Sequence, residues 1–261
     1  MRSVSEKRKE VNKISVVINT YNAEEHLREC LEAVRGFDEV VVCDMESTDH
    51  TVAIARERGC RVVTFPRDEH RIVEPAREFA IHQAANDWVL VVDADEIVTE
   101  RLHDRLYDIV GSDACADGYF ISRHNKFMGA YTKSRGHDYI LRFFRQRQTT
   151  WPPTIHSVPV VRGRVERMPA DCELRHLADE TMSQWVAKMN GYTDYELAKK
   201  AGKNYGIAAL TWRPFWRFFK NYVLMGGFRN GRRGLLQSVQ WAIYQQVLVS
   251  KIIEKRMRNE E

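Results

Sequence analysis

Three acidic residues follow directly on an apolar run in "VLVVDADEIV", residues 89–98. Asp93, Asp95 and Glu96 repel one another at such close spacing unless a cation or a bound ligand offsets their charge. In an extended segment, residues two apart point to the same side, so Asp93 and Asp95 are expected to face one divalent cation. Mg²⁺ or Mn²⁺ suits these oxygen ligands, and on a diphosphate it polarises the leaving group. The alternative is a turn with solvated acids.

Two further polar segments, "NTYNAEE" and "DMESTDHT", also follow apolar runs. Asp44 lies between a predicted strand and the next helix cap, so the pattern favours a contact with a ligand. Asn22 followed by Glu25 resembles a capping box, and Thr48 suits an N-cap, so capping is favoured over ligand binding for both. The first segment contains no glycine, and no GxxxxGK[ST] motif occurs, which argues against dinucleotide-dependent hydride transfer and P-loop phosphotransfer.

Apolar runs and amphipathic helical segments alternate over the first hundred residues. The predicted strands cover residues 14–18, 39–43, 61–65 and 88–92, and the predicted helices cover residues 24–34, 50–59 and 74–85. Strands that are apolar throughout and separated by single helices are typical of a parallel sheet covered on both faces. Ligands bind beyond the carboxyl ends of such strands, so the three polar segments are expected to share one edge.

Charge is distributed unevenly along the 261 residues, whose formal net charge is +4. Residues 199–261 hold 13 Lys+Arg and 3 Asp+Glu, a net of +10, so the first 198 residues carry −6. A basic tail suggests an anionic partner, either a membrane surface or a nucleic acid, although a solvated helical face is also consistent. Five cysteines without a CxxC pair predict reduced thiols and a cytoplasmic setting, and the N-terminus shows no signal peptide.

The first hundred residues resemble a known enzyme family. "ISVVINTYNAEEHLRECLEAV", "EVVVCDMESTDHT" and "AREFAIHQAANDWVLVVDADE" resemble the family-two glycosyltransferases of the GT-A fold, nearest to bacterial lipopolysaccharide-core β-glucosyltransferases. A looser match continues through "LRFFR", "TIHSV" and "PFWRFFKNYVLMGGFRNGRRGLL". The resemblance implies an α/β fold, with a Rossmann-like, mostly parallel sheet flanked by helices and a C-terminal helical extension.

The same resemblance implies a function. The resemblance implies an inverting, metal-dependent hexosyltransferase. Such an enzyme moves a sugar from a nucleotide-diphosphate donor to a glycan or lipid-linked acceptor in cell-surface polysaccharide or lipopolysaccharide synthesis. UDP is the expected nucleotide, because a carboxylate that pairs with a base imide suits uracil. Residues 1–180 are expected to form the catalytic domain, with the nucleotide sugar bound by residues 12–110 and the acceptor by residues 111–180.

Site residues are carried over from the family position by position. The implied contacts to the nucleotide sugar are made by Thr20, Tyr21, Asn22, Asp44, Arg77, Asp93 and Ala94. Asp44 would accept a hydrogen bond from the base, and Arg77 would reach the nucleotide. Asp95, with Asp93, would hold the Mg²⁺ or Mn²⁺ ion.

An inverting transfer needs a general base for the acceptor hydroxyl, and three residues are candidates. Asp138 precedes a strand that the family match assigns to the cleft, and it is favoured. His156 stands where the family has "VHE", but the next residue is Ser157, so the expected glutamate is missing. Glu96 is the third candidate. His156 is alternatively a metal or phosphate contact or a packed histidine, and His176 is a weaker candidate of the same kind.

The segment before residue 180 is expected to complete the sheet. Strand patterns cover residues 118–129 and 139–145, and residues 154–165 are predicted to form a hairpin. Arg142 and Arg145 are expected either to pair with the diphosphate or to form surface salt bridges.

Residues 181–261 are predicted to be helical, basic and aromatic. The longest uncharged stretch, residues 234–250, contains four glutamines and is too polar and too short to span a bilayer comfortably. Aromatic and basic side chains interleave at Trp212, Arg213, Phe215, Trp216, Arg217, Phe218, Phe219 and Lys220. This pattern favours a helix in the lipid headgroup region and a peripheral site on the inner face of the plasma membrane; the alternative is a stripe packed on the catalytic domain.

Other functions are weighed against the sugar transferase. A nucleotidyltransferase is disfavoured, because "NTYNAEE" lacks a glycine-rich phosphate loop. A nucleic-acid-binding protein that uses the basic aromatic tail is an alternative, although no nucleic-acid partner is expected of the transferase. A catalytically silent, nucleotide-sugar-binding GT-A protein is another, because the "VHE" glutamate is missing.

Overall fold

The structure, a computed structural model, describes residues 13–67, 73–131, 138–154, 157–200, 202–203 and 205–260. The chain divides into two compact units, one formed by residues 1–124 and 137–177 and the other by residues 125–136 and 178–261. The assignment of nucleotide-sugar and acceptor halves to particular residues stays a prediction. All five cysteines are free thiols.

The elements up to residue 177 alternate between strands and helices before continuing as short strands. They are β1 (Ile14–Thr20), α1 (Glu24–Ala33), β2 (Glu39–Asp44), α2 (Thr51–Glu57), β3 (Arg61–Thr64), α3 (Glu74–Gln83), β4 (Trp88–Asp93), β5 (Glu96–Val98), α4 (Glu100–Val110), β6 (Gly118–Phe127), β7 (Ala130–Tyr131), β8 (Asp138–Arg145), β9 (Thr149–Thr150), β10 (Val160–Val161), β11 (Val165–Arg167) and β12 (Glu173–His176). The strands β1 to β4 and β8 lie where the sequence predicts strands.

The main sheet has the strand order β3-β2-β1-β4-β8-β6-β12-β5. The first four strands are parallel, whereas β8 runs antiparallel to β4, and β6 runs antiparallel to β8. The carboxyl ends of β1, β2 and β4 therefore share an edge with the beginning of β8. This topology confirms the predicted Rossmann-like, mostly parallel sheet flanked by helices.

Burial on both faces explains why β1 is apolar throughout, since all seven of its residues are buried. Val16 and Ile18 belong to the core on one face of the sheet, whereas Val17 belongs to the core on the other face. Alternate side chains of a strand point to opposite faces, so each face needs an apolar layer. Helix α1 covers the first face with Leu27, and α3 covers the second with Ala80.

The predicted hairpin over residues 154–165 is wrong. β10 pairs with β9, and β11 pairs in parallel with β6, so the two strands flanking Gly163 do not pair with each other. Gly163 has φ 127°, and a Cβ there would lie 2.2 Å from Asp117 Oδ2, which accepts the Arg164 N–H. Gly163 thus lies in the loop that connects β10 to β11, and this loop is not a hairpin turn.

The two predicted helix caps are also wrong. The N-caps of α1 and α2 are Ala23 and His50, and neither uses its side chain as a cap. Asn22 has left-handed φ (47°), and its Oδ1 accepts the Thr48 N–H at 2.8 Å. The two loops bind each other across the sheet edge, and this long-range contact replaces the local capping bonds.

The second unit is helical over residues 181–261, as predicted, and it also contains the end of β6 paired with β7. Its helices are α5 (Met182–Lys199), α6 (Ala209–Phe219) and α7 (Gly231–Glu260), with short helical turns at Lys220–Leu224 and Gly227–Asn230. α5 and α7 share a small apolar core that includes Met189 and Leu248. In the described part of the chain, no helix has the length and apolarity needed to cross a membrane.

Candidate active site

The ends of three strands place the predicted site residues beside one another. Thr20 ends β1 in register with Asp44, and Asn19 is in register with Asp93. Parallel pairing therefore brings the three polar segments of the sequence to one edge, where sheets of this kind bind ligands.

Asp44 is held by three donors at this edge. Thr20 Oγ1 donates to Asp44 Oδ1 at 2.9 Å, Ser47 Oγ donates to the same atom at 2.6 Å, and the Ser47 N–H donates to Oδ2 at 2.9 Å. A carboxylate has about four acceptor positions, so a further hydrogen bond can be accepted. Asp44 itself is only 2% exposed.

Tyr21 and Asn22 are the next predicted contacts to the nucleotide sugar, and their surroundings differ. The Tyr21 ring is exposed, and the guanidinium carbon of Arg67 lies 3.5 Å from its centroid. Asn22 ties the two loops together, because its N–H also donates to Ser47 Oγ at 2.9 Å. Tyr21 thus offers a ring surface beside Asp44, while Asn22 shapes the loop.

Asp93 is clamped between two arginines. Arg77 Nη2 donates to Asp93 Oδ1 at 2.5 Å, and Arg142 Nη2 donates to Oδ2 at 2.7 Å. Both guanidinium groups lie near the ring of Trp151, at 5.1 and 5.7 Å from its centroid. Burial raises the pKa of Asp93, but the charges of Arg142 and Arg77 outweigh it and hold this pKa well below its usual range.

This clamp gives Asp93 partners other than a metal ion, and its role as a metal ligand stays a prediction. β4 ends at Asp93, and Ala94 and Asp95 form a turn, so the extended geometry that would aim both carboxylates at one ion is absent. Both oxygens of Asp93 are already bound by arginines. Ala94 packs against the core beneath the turn.

Asp95 has a different partner, His176. Antiparallel pairing of β12 with β5 aligns His176 with Glu96, and the Leu177 N–H donates to the Asp95 carbonyl at 2.7 Å. His176 Nε2 consequently lies 3.2 Å from Asp95 Oδ2. The hydrogen bond with Asp95 raises the pKa of His176.

Asp95 offers carboxylate oxygens of the kind that Mg²⁺ and Mn²⁺ prefer, and His176 is the imidazole that faces it. Among the residues that the structure describes, no group of three or more His, Cys, Asp or Glu side chains is placed to hold a metal ion.

Glu96, the third candidate for the general base, is buried. It is 0% exposed, and its Oε2 accepts the Asp93 N–H at 2.9 Å. Burial, with the nearby charge of Asp93, raises the pKa of Glu96 to about 7. The burial of this carboxyl group favours Asp138 over Glu96 as the general base, and the role of Glu96 stays a prediction.

Asp138 remains available at the edge. β8 begins at Asp138, and this residue is exposed. Arg123 donates to Asp138 Oδ2 through Nη2 at 2.7 Å and through Nε at 3.1 Å. His156, the other candidate base, lies outside the described residues.

The two arginines of β8 have different partners. Arg142 faces Asp93 at the site, whereas Arg145 pairs with Asp87 at 3.1 Å and covers the ring of Trp88. Arg145 therefore lies at the beginning of β4, away from the strand ends that form the site, so its predicted diphosphate role is wrong. The observed ion pair with Asp87 agrees with the alternative expectation, a salt bridge.

A sequence profile described as Glycosyl transferase family 2 matches residues 15–167. The chain belongs to glycosyl transferase family 2. An uncharacterized glycosyltransferase of Rickettsia conorii is similar to this glycosyltransferase at 28% identity, over 95% of this chain and 92% of its own. The lipopolysaccharide core biosynthesis glycosyltransferase LpsC of Rhizobium meliloti is 24% identical, over 93% and 92% of the two chains.

A solved structure shares the fold of this glycosyltransferase. TarS 1–349 of S. aureus in complex with UDP superposes with a TM-score of 0.50 at 16% identity, over 95% of this chain and 92% of that one. The likeness, together with the family match, confirms the predicted GT-A fold.

Sequence reasoning missed three side chains that contact the candidate site residues of this glycosyltransferase. They are Arg67 over Tyr21, Arg123 on Asp138 and Trp151 beside the two arginines. They come from loops and a distant strand, where no periodic pattern marks them.

Proposed function

We propose that this glycosyltransferase transfers a sugar from a uridine diphosphate donor to a glycan or lipid-linked acceptor of the cell surface, with inversion at the anomeric carbon. The observation that carries the proposal is the arrangement at one sheet edge, where the bound carboxylate of Asp44 and the Asp95–His176 pair lie beyond neighbouring strand ends. The name of LpsC supports an acceptor of the lipopolysaccharide type, and TarS was solved with UDP and with UDP-GlcNAc.

Asp44 supports uracil as the base. A carboxylate accepts hydrogen bonds only, and uracil offers it one imide N–H. Adenine has no imide N–H, whereas guanine has an N–H beside an amino group and is the second choice. Thr20 and Ser47 hold the carboxylate in position, and the Tyr21 ring with Arg67 gives the base a flat neighbour.

Charge at the edge suits a diphosphate. Arg77 and Arg142 together carry two positive charges against the single negative charge of Asp93, so the clamp leaves a net cation near the donor. Asp95 with His176 would hold Mg²⁺ or Mn²⁺, which supplies charge neutralisation for the diphosphate leaving group. Arg77 and Arg142, held in fixed positions by Asp93, would also stabilise the negative charge of the diphosphate leaving group.

Asp138 is the proposed general base. Arg123 donates both of its hydrogen bonds to Asp138 Oδ2, so among the residues that the structure describes Oδ1 is left to accept the proton of an acceptor hydroxyl. The acceptor oxygen then bonds to the anomeric carbon while the bond from that carbon to the diphosphate breaks. Attack opposite the leaving group inverts the anomeric centre.

The test is a thermal-shift and calorimetry panel with UDP-, GDP- and ADP-sugars, each with and without Mn²⁺. We expect stabilisation by UDP-sugars that Mn²⁺ strengthens, since a ligand that binds only the folded state raises the melting temperature. Asp95→Asn should abolish the Mn²⁺ effect, whereas Asp104→Asn, on the exposed surface of α4, should keep it. Equal responses to all nucleotides, or none, would overturn the proposal.

A further inference from the structure

Helix α6 turns its most aromatic face outward. Trp212 is 60% exposed, Phe215 is 59% exposed and Trp216 is 46% exposed. Residues spaced by three and four share one helix face, so the three rings form a single stripe. Trp212 and Trp216 stack with their centroids 6.1 Å apart. A helix in water normally buries such a stripe, so this orientation indicates a partner.

The inner face of the same helix holds its arginines. The guanidinium carbon of Arg213 lies 4.5 Å from the centroid of the Tyr205 ring, and that of Arg217 lies 5.5 Å from the centroid of Trp241 on α7. These contacts fix the rotation of α6, because turning the aromatic stripe inward would break both. The outward stripe is therefore built into the packing of the unit.

The exposed apolar surface continues beyond α6. Val223, Leu224 and Phe228 follow in the short helical turns, and Phe228 is 55% exposed. We name the six residues Trp212, Phe215, Trp216, Val223, Leu224 and Phe228 the aromatic surface. Exposed apolar side chains that are scattered singly are ordinary on soluble proteins, whereas these six all lie within residues 212–228.

The charge around the aromatic surface has one sign. Residues 197–253 contain ten Lys or Arg and no Asp or Glu. Lys220, Arg229 and Arg232 are exposed beside the aromatic surface. Within the described part of the chain, no acidic side chain forms an ion pair with these three.

We propose that the aromatic surface docks on the headgroup region of a lipid bilayer that contains anionic lipid. Tryptophan and phenylalanine settle at the boundary between headgroups and acyl chains, and neighbouring lysines and arginines are drawn to anionic headgroups. A second copy of the chain is a poor occupant, since it would bring Lys220, Arg229 and Arg232 against the same three cations of its partner. The proposal does not depend on the identity of the sugar donor.

The direct test is flotation of the full chain with phosphatidylcholine vesicles and with vesicles containing 30% phosphatidylglycerol. We expect the chain to float with the anionic vesicles. The variant with Trp212→Ser, Phe215→Ser and Trp216→Ser should bind roughly 100-fold more weakly, because it loses three apolar anchors. A matched variant with Val186→Ser and Tyr192→Ser, two exposed residues of α5, should bind like the parent.

The role of the basic residues is tested with the single variants Lys220→Gln, Arg229→Gln and Arg232→Gln. Each neutralisation should weaken binding to anionic vesicles about fivefold, and added salt should weaken the parent in the same direction. Lys255→Gln, near the far end of α7, is the control and should change binding little. The parent's tryptophan fluorescence should be quenched by brominated phospholipid, and Trp212→Phe with Trp216→Phe should remove most of that quenching.

Three results would overturn the proposal. The first is a parent chain that floats with neither vesicle. The second is a serine triple variant that floats as well as the parent. The third is a concentration-dependent dimer that the serine triple variant abolishes, without vesicle binding, since this would assign the surface to a second copy. Circular dichroism melting and UDP-sugar binding of each variant establish that a loss reflects the surface and not unfolding.

Discussion

His176 Nε2 lies 3.2 Å from Asp95 Oδ2, where the last strand of the catalytic sheet meets the turn after β4. The same turn separates Asp95 from Asp93, whose carboxylate is taken by arginines. The two aspartates of one motif thus have different tasks. Asp93 is bound by Arg77 and Arg142, and Asp95 faces His176.

Replacing either member of the Asp95–His176 pair should remove the response to metal. We expect Asp95→Asn to lower kcat/KM by roughly 100-fold or more, because the leaving diphosphate loses charge neutralisation. His176→Ala should weaken Mn²⁺ binding at least tenfold. Initial rates measure kcat/KM, and calorimetric titration of Mn²⁺ into the UDP-bound enzyme measures the metal affinity. His82→Ala, on the exposed face of α3, is the control, and an unchanged Mn²⁺ affinity in His176→Ala would contradict this role.

Asp44 should decide which base is bound. Asp44→Asn exchanges an acceptor for an amide that also donates, so UDP affinity should fall roughly 10- to 100-fold. Ser47→Ala removes the hydroxyl that donates to Asp44 Oδ1 but keeps the backbone N–H that donates to Oδ2, and it keeps the carboxylate. It should therefore lower affinity less and preserve the preference for UDP over ADP. Calorimetry with UDP, GDP and ADP measures this, and equal losses for all three nucleotides would show that Asp44 does not read the base.

The Asp93 clamp should matter for stability as well as for the donor. Arg142→Met leaves Asp93 with Arg77 alone, and we expect the free energy of unfolding to fall by about 2 kcal/mol. Adding Asp93→Asn to Arg142→Met should recover part of this loss, because the uncompensated buried charge is removed as well. Urea unfolding of the wild type, the two single variants and the double variant gives the coupling between the residues. Strictly additive effects would mean that the pair does not interact.

The identity of the general base can be tested by separating turnover from donor binding. Asp138→Asn should lower kcat by roughly 10²- to 10⁴-fold while UDP-sugar affinity stays within a factor of a few, because only proton transfer is lost. His156→Gln tests the alternative candidate in the same way. Rates with a soluble acceptor fragment and calorimetric donor affinities are the two measurements. A large loss of kcat in His156→Gln with full activity in Asp138→Asn would reverse the assignment.

The sequence by itself determined the first half of the fold and the edge that holds the site. Apolar runs such as "ISVVI" are buried on both faces, and that burial leaves a signal in composition that needs no partner strand to be recognised. Because parallel strands all end at one edge, Thr20, Asp44 and Asp93 were expected together and lie in neighbouring strands. The helical character of residues 181–261 was likewise readable from periodicity.

Only the tertiary structure decided what each of these residues touches. Asn22 was expected to cap a helix, but it binds the neighbouring loop, because that loop is brought close by the sheet and not by the chain. Asp93 was expected to bind metal, but Arg142 reaches it from an antiparallel strand far along the sequence. His176 meets Asp95 through the β12–β5 pairing in the same way. Local patterns encode burial and turn chemistry, whereas the partner of a polar side chain depends on strand pairing between distant segments.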